Sequence, residues 1–204
     1  MEKWLLQKRY WLESYRKIMR IISGKFKGKK LSFISSSNTR PLRDYVRENI
    51  FNIIAHGNKI QLNLEKATIL DLYSGVGSFG IECLSRFACN VVFVEKDPIA
   101  CSNLKKNIID LKLTNKVKII SQDTKNFLEK TYNKDKFDLI FLDPPYKDKT
   151  FLNLIALIKE KRMFKKNHRV IIHRERGCED ELSDYLKIDL EKSYGRSKII
   201  FGSF

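Results

Sequence analysis

No stretch of this chain approaches the ~20 consecutive apolar residues that a helix needs to cross a bilayer, so a membrane-spanning protein is not expected. Cysteine is sparse and carries no pairing pattern. Cys83, Cys89, Cys101 and Cys178 show neither Cys-x-x-Cys spacing nor a matching histidine ladder, which argues against a zinc site or a disulfide framework. They read as buried thiols in a reducing, cytoplasmic compartment. The three histidines, His56, His168 and His173, are scattered singly, and each reads as a packing or surface residue, not as a metal ligand or a base. Internal repeats and long linkers are missing as well. At 204 residues this leaves one α/β core with an appendage as the expected organisation.

Acid is also in short supply. Forty Lys and Arg against 24 Asp and Glu give a net charge of +16, the electrostatic footprint of a polyanion binder, with nucleic acid the leading partner. The competing reading is compositional, with lysine used as a default surface residue.

Residues 1–18 carry Trp4, Trp11, Tyr15 and Ile18 at helical spacing between basic residues, predicting a short basic amphipathic helix. From Met19 to Phe33 two short strands flank a glycine-bounded turn holding Lys25, Lys27, Lys29 and Lys30, a basic β-hairpin. Beyond Arg40-Pro41, Val46, Ile50, Ile53 and Ile54 form a helical stripe, and Arg43 and Arg47 are expected on its outward face. After Lys66 strands and helices alternate. Strands are expected at 67–72, 90–95, 116–121, 137–143 and 169–173, with two more in 188–204 that pair as a terminal hairpin. Helices fall at 78–86, 98–111, 124–130, near 150–161 and near 179–186. This is a doubly wound, mostly parallel seven-stranded sheet.

The most informative stretch is Phe137 to Tyr146: a nearly all-apolar strand ending in Asp143-Pro144-Pro145-Tyr146. Two prolines fix their φ angles and donate nothing to a sheet, so the Asp143 carboxylate and the Pro144 carbonyl are rigid acceptors beside the Tyr146 ring. A planar base with an exocyclic amine fits such a tip. On these four residues alone, a plain turn leaving a buried strand is equally consistent.

At the first strand-to-helix turn, Asp71-Leu72-Tyr73-Ser74-Gly75-Val76-Gly77-Ser78-Phe79-Gly80 presents Gly75, Gly77 and Gly80 in dinucleotide-fingerprint spacing. Glu95, at the next strand tip, suits ribose hydroxyls, and Asp123, one strand further, suits an adenine amine or a helix N-cap. The spacing fits both NAD and S-adenosylmethionine. Acids at three successive tips favour S-adenosylmethionine, whose amino and sulfonium groups are cationic where NAD brings a pyrophosphate.

From Met19 onward the chain resembles the bacterial 16S ribosomal RNA (guanine(966)-N(2))-methyltransferase family, a class I S-adenosylmethionine-dependent group with a Rossmann-like fold. The carrying residues are Met19–Gly24, Thr39-Arg40-Pro41 with Arg43, Val46-Arg47-Glu48, Phe51-Asn52, the loop 70–80 with Ile81-Glu82, Phe93-Val94-Glu95, Asp143–Tyr146 and Tyr194-Gly195. The resemblance implies methylation of a guanine N2 amine in small-subunit ribosomal RNA, naked or assembled, with Asp143, Pro144 and Tyr146 at the chemistry. Asp71, Tyr73, Gly75, Gly77, Gly80, Glu95 and Asp123 then hold the cofactor, and Lys25, Lys27, Lys29, Lys30, Arg40, Arg43 and Arg47 hold RNA phosphates. Residues 1–18 are an extension without a family role, 19–66 an RNA-binding appendage and 67–204 the catalytic domain of a monomer that needs no metal. Three other readings stay open: a DNA or RNA adenine-N6 methyltransferase, an NAD-dependent oxidoreductase, and a non-catalytic RNA-binding module with a vestigial cofactor loop.

Overall fold

Alternate residues of each central strand face opposite helical layers, and this alternation sets the architecture. The computed structural model describes residues 19–33, 42–60, 62–131 and 135–204; the helix expected in 1–18 and the site residue Arg40 lie outside them. The elements run β1 (Met19–Arg20), β2 (Lys30–Leu31), α1 (Asp44–His56), β3 (Thr68–Leu72), α2 (Ser78–Ser85), β4 (Asn90–Glu95) and α3 (Pro98–Asp110). There follow β5 (Val117–Ser121), α4 (Thr124–Lys130), β6 (Phe137–Leu142), α5 (Phe151–Glu160), β7 (Phe164–Glu175), β8 (Lys187–Tyr194) and β9 (Ser197–Ser203).

The main sheet has the order β5-β4-β3-β6-β7-β9-β8. Neighbours are parallel through β7, and β9 runs antiparallel to both β7 and β8. Ile69 of β3, Val91 and Phe93 of β4, and Leu139 and Phe141 of β6 pack under α1, α2 and α3. Leu70, Leu72, Val94, Ile140 and Leu142 point the other way, against Phe127 and Leu128 of α4 and Phe151, Leu154, Ile155 and Ile158 of α5. The result is a three-layer α/β sandwich, the expected doubly wound fold. Phe79 of α2 lies flat on Phe141, centroids 3.8 Å apart, so removing either ring costs about 3–5 kcal/mol.

Three expectations are corrected. Residues 179–186 hold no helix: a single turn closes where Leu186 N–H donates to Leu182 O at 2.9 Å, and Asp180 is drawn away to Arg174. β7 begins at Phe164, five residues before the expected start, because its lysine-rich opening carries no apolar alternation. Arg47 points inward. It is fully buried, donates to the Arg20 carbonyl, and lies 3.1 Å from Asp44 and 4.0 Å from Glu82. Burial draws its guanidinium below the usual value, with Glu82 and Asp44 opposing.

The hairpin β1–β2 is fastened to α2. The buried Glu82 carboxylate accepts the N–H groups of Ile22 (2.8 Å) and Ser23 (2.9 Å), and Arg86 Nε closes on it at 2.9 Å. A Cβ on Gly24 would stand 2.0 Å from the Ser85 carbonyl oxygen, so only glycine permits this approach. Met19, Ile21 and Leu31 join the same apolar cluster as α1 and the sheet, and no break in packing marks residue 66.

Candidate active site

Register brings the decisive residues to one edge of the sheet. Leu72 pairs with Val94 on one side and Leu142 on the other, and Glu95 pairs with Ser121, so the strands β3, β4, β5 and β6 end together. Helices leave β3 and β6 toward opposite faces, which opens a crevice between their carboxyl ends. A cavity of about 770 Å³ lies there, bordered by Tyr73, Ser74, Gly75, Val76 and Ser78 of the first turn and by Glu95, Asp123 and the whole run Asp143–Tyr146. Two motifs far apart in the chain, at 71–80 and 143–146, thus share one chamber.

The glycine loop is built by close approach. Gly77 has φ +83° and caps α2, and a Cβ there would meet the Leu104 side chain at 2.4 Å. Gly80 sits against the Phe93 ring, where a Cβ would come within 2.4 Å, so it serves helix-on-strand packing. Asp71 is equally hidden. Its Oδ2 accepts the Gly80 N–H at 2.9 Å, and burial pushes its carboxyl well above the usual carboxylate range, with Asp143 and Glu95 adding to the rise. Gly75 borders the cavity, whereas Asp71, Gly77 and Gly80 lie behind its wall; the expectation that Asp71 faces a cationic cofactor is corrected to a role under the loop.

Glu95 accepts Gly75 N–H on Oε2 at 2.7 Å, and Lys96 and Asp97 N–H on Oε1 at 2.9 and 2.8 Å. A carboxylate offers about four lone-pair sites, so one acceptor position remains for a ligand hydroxyl. Asp123 caps α4 through Lys125 N–H at 2.9 Å and is partly exposed to the same cavity. Ser74 Oγ, buried at the cavity wall, has no hydrogen-bond partner among the described residues. An orphaned hydroxyl, a spare carboxylate lone pair and a second carboxylate around an enclosed space fit a cofactor bearing hydroxyls, an amine and a positive charge. The Tyr73 phenol is driven up by burial and by the charge of Asp148, whose Oδ2 lies 3.4 Å from it.

At the other motif, β7 supplies partners that sequence reasoning missed. His173 Nδ1 lies 2.8 Å from Asp143 Oδ1, and its Nε2 is 2.9 Å from Ser197 Oγ and 3.4 Å from the Tyr146 hydroxyl. Arg174, also buried, donates to the carbonyls of Pro145 and Tyr146, both at 3.0 Å. No local signal marked either residue, because each acts on a partner almost 30 positions earlier in the chain.

Of the expected RNA contacts, Arg43 is exposed and borders the cavity mouth beside Tyr45 and Arg196. Lys25, Lys27, Lys29 and Lys30 are exposed on the hairpin, whose flanking residues Met19 and Phe33 line the cavity. Arg47, being buried, presents no charge to a ligand. Among the described residues no group of three or more His, Cys, Asp or Glu is arranged to hold a metal, and no helix is long and apolar enough to cross a membrane.

Comparison with known proteins finds the family described as "Conserved hypothetical protein 95" over residues 19–203. The "Ribosomal RNA small subunit methyltransferase D" of Buchnera aphidicola subsp. Baizongia pistaciae is 38% identical over 157 residues, 77% of this chain and 76% of its own. YlbH of Bacillus subtilis, named as a candidate rRNA methyltransferase, is 34% identical over 179 residues, 87% of this chain and 94% of its own. Among solved structures, HI0767 of Haemophilus influenzae, described as a candidate methylase, superposes with a TM-score of 0.72 at 29% identity, covering 91% of this chain and 97% of that one.

Proposed function

The chain belongs to the family described as "Conserved hypothetical protein 95", and we propose that it is an S-adenosylmethionine-dependent methyltransferase acting on the N2 amine of a guanine in small-subunit ribosomal RNA. One observation carries this reading: the glycine loop and the Asp143–Tyr146 tip border a single cavity, which Glu95 and Asp123 also line. The relatives named as methyltransferases of small-subunit ribosomal RNA support the substrate class. The exposed hairpin lysines, with Arg43 at the mouth, support a polyanionic substrate.

Glu95 holds the ribose hydroxyls through its remaining acceptor, Asp123 accepts from the adenine amine, and Ser74 Oγ meets a polar group of the cofactor. When bound, S-adenosylmethionine supplies an electrophilic methyl group and departs as a neutral thioether. The residues at the tip do the rest. A guanine amine is a poor nucleophile because its lone pair is delocalised into the ring. Asp143 and the Pro144 carbonyl grip its two hydrogens, loosen that conjugation and aim the lone pair at the methyl group. As the nitrogen gains positive charge, the fixed carboxylate stabilises it and takes the surplus proton. Tyr146 stacks on the base, worth ~1–3 kcal/mol, partly offsetting the cost of withdrawing it from its helix. Residues 67–204 are the catalytic domain, and 19–66 form the RNA-facing surface packed onto it.

The test incubates the protein with radiolabelled S-adenosylmethionine and either small subunits or stripped RNA lacking the modification, then identifies the labelled nucleoside by chromatography. N2-methylguanosine is the expected product. Label in N6-methyladenosine would move the enzyme to the adenine branch, since either amine suits the same acceptors. Cofactor binding without label in any RNA would overturn the proposal.

A further inference from the structure

Resting on the reading of Asp143 as the group that grips the target amine, we propose that His173 is a positioning residue: it locks the Asp143 carboxylate in place, and Ser197 steadies the ring from its other nitrogen.

The contact at 2.8 Å joins a ring nitrogen to a carboxylate oxygen, and in the proposed arrangement His173 Nδ1 carries the proton and Asp143 accepts the hydrogen bond. In the neutral ring Nε2 is then an acceptor, and the Ser197 hydroxyl 2.9 Å away donates to it. His173 and Ser197 are both buried, 4% and 7% exposed, and sit on the adjacent strands β7 and β9, paired antiparallel. Sheet hydrogen bonding therefore fixes the relay from behind. With Oδ1 engaged by His173, no hydrogen bond among the described residues occupies Oδ2, which is left for the amine. The Tyr146 ring stands edge-on to the imidazole, centroids 5.8 Å apart and planes at 80°, so one histidine contacts both the gripping carboxylate and the stacking ring. A carboxylate free to swing about its terminal torsion would present its second oxygen over an arc of more than an ångström. Misplacement on that scale costs about 100-fold in rate.

Three substitutions separate the two nitrogens. In His173→Asn the amide nitrogen stands where Nδ1 stood, in His173→Gln it stands where Nε2 stood, and His173→Leu removes both. Single-turnover rates are measured at saturating cofactor and RNA, with cofactor affinity by calorimetry and melting temperature for each variant. His173→Leu is expected to fall about 100-fold in the methyl-transfer rate. His173→Gln should fall close to it, and His173→Asn should recover most of the loss. Cofactor affinity should stay within about twofold throughout, because the contact belongs to the reacting amine. A merely structural role would order the three rates by their melting temperatures instead.

A second readout does not depend on activity. The 15N spectrum of the wild-type imidazole is expected to show a protonated Nδ1 and a bare Nε2, and Ser197→Ala should move the Nε2 resonance while leaving the proton on Nδ1. Equal rates for His173→Asn and His173→Gln, or a proton found on Nε2 alone, would overturn the proposal. Asp143→Ala run in parallel keeps the two readings apart. If it is inactive while every His173 variant turns over normally, only the histidine's role falls; if it is active, the reading of Asp143 falls first.

Discussion

Arg174 reaches out of β7 and donates to the carbonyls of Pro145 and Tyr146, both at 3.0 Å, while its Nε holds Asp180 at 2.8 Å and its guanidinium lies over the Phe151 ring. Prolines alone fix φ, not the loop's position relative to the sheet. The arginine fork adds that anchor. Lysine gathers its donors on one atom and lacks the planar fork that spans these separate acceptors, so Arg174→Lys should lower turnover at least tenfold with cofactor affinity nearly unchanged. Arg174→Ala strands the buried Asp180 carboxylate at a cost of about 3–5 kcal/mol, a drop of about 6–20 °C in melting temperature. Calorimetric melts and single-turnover rates check both.

Glu95→Ala removes the proposed ribose acceptor and the partner of three backbone N–H groups at once. At ~1.5–3 kcal/mol for a charge-assisted contact, S-adenosylmethionine affinity should fall by about 10- to 150-fold. Glu95→Gln, which keeps one acceptor oxygen, should lose less. Titration calorimetry against both variants decides, and an unchanged constant removes Glu95 from the site.

Salt dependence separates the exposed cations from the buried one. Lys25→Gln with Lys27→Gln should flatten the slope of log affinity against log salt by about 1.5 to 2, one phosphate contact being lost per lysine. Arg47→Met should leave that slope alone and lower stability by about 1–3 kcal/mol instead, because the Arg20 carbonyl loses its partner. A slope that responds to Arg47 and not to the lysines would reverse this assignment.

Burial favours the protonated form of Asp71, so its folded pKa is raised. A group shifted upward lends stability that is complete below its unfolded pKa, about 3.9, and is lost as pH climbs through the raised value. Asp71→Asn retains the acceptor for Gly80 N–H and cannot ionise. The variant should therefore match wild type near pH 4 and melt increasingly higher than it as pH rises toward 9. Parallel melting curves across that range would mean the carboxyl titrates alike in both states.

What the sequence disclosed divides along the range of the interaction concerned. The strands expected at 90–95 and 137–143 and the helix at 124–130 were readable because a short continuous apolar run and an N-capping Asp123 act within a few residues. Both halves of the chamber were readable for the same reason. Arg47 was misjudged because its stripe neighbours Val46 and Ile50 define a helix face, whereas its burial depends on Glu82, 35 positions on. His173 was passed over as a packing residue since its partner Asp143 is 30 residues earlier, brought close only by the parallel pairing of β6 with β7. The helix expected at 179–186 failed nearer at hand: Arg174, at the end of the preceding strand, claims the Asp180 side chain with a buried ion pair that helical periodicity does not register.

Asn107 on α3 takes the Ser32 N–H at 2.7 Å and returns its amide hydrogens to the carbonyls of Ser32 and Val76, at 3.2 and 3.1 Å. One side chain thereby rivets the end of the hairpin to the glycine loop, as Glu82 rivets its beginning to the helix that follows. Evolution cannot exchange the lysine-rich hairpin as a detachable cassette. A hairpin transplanted from a relative would need Glu82, Ser85 and Asn107 matched to it, or it would arrive with its backbone unmoored and disturb the glycine loop at the cavity wall.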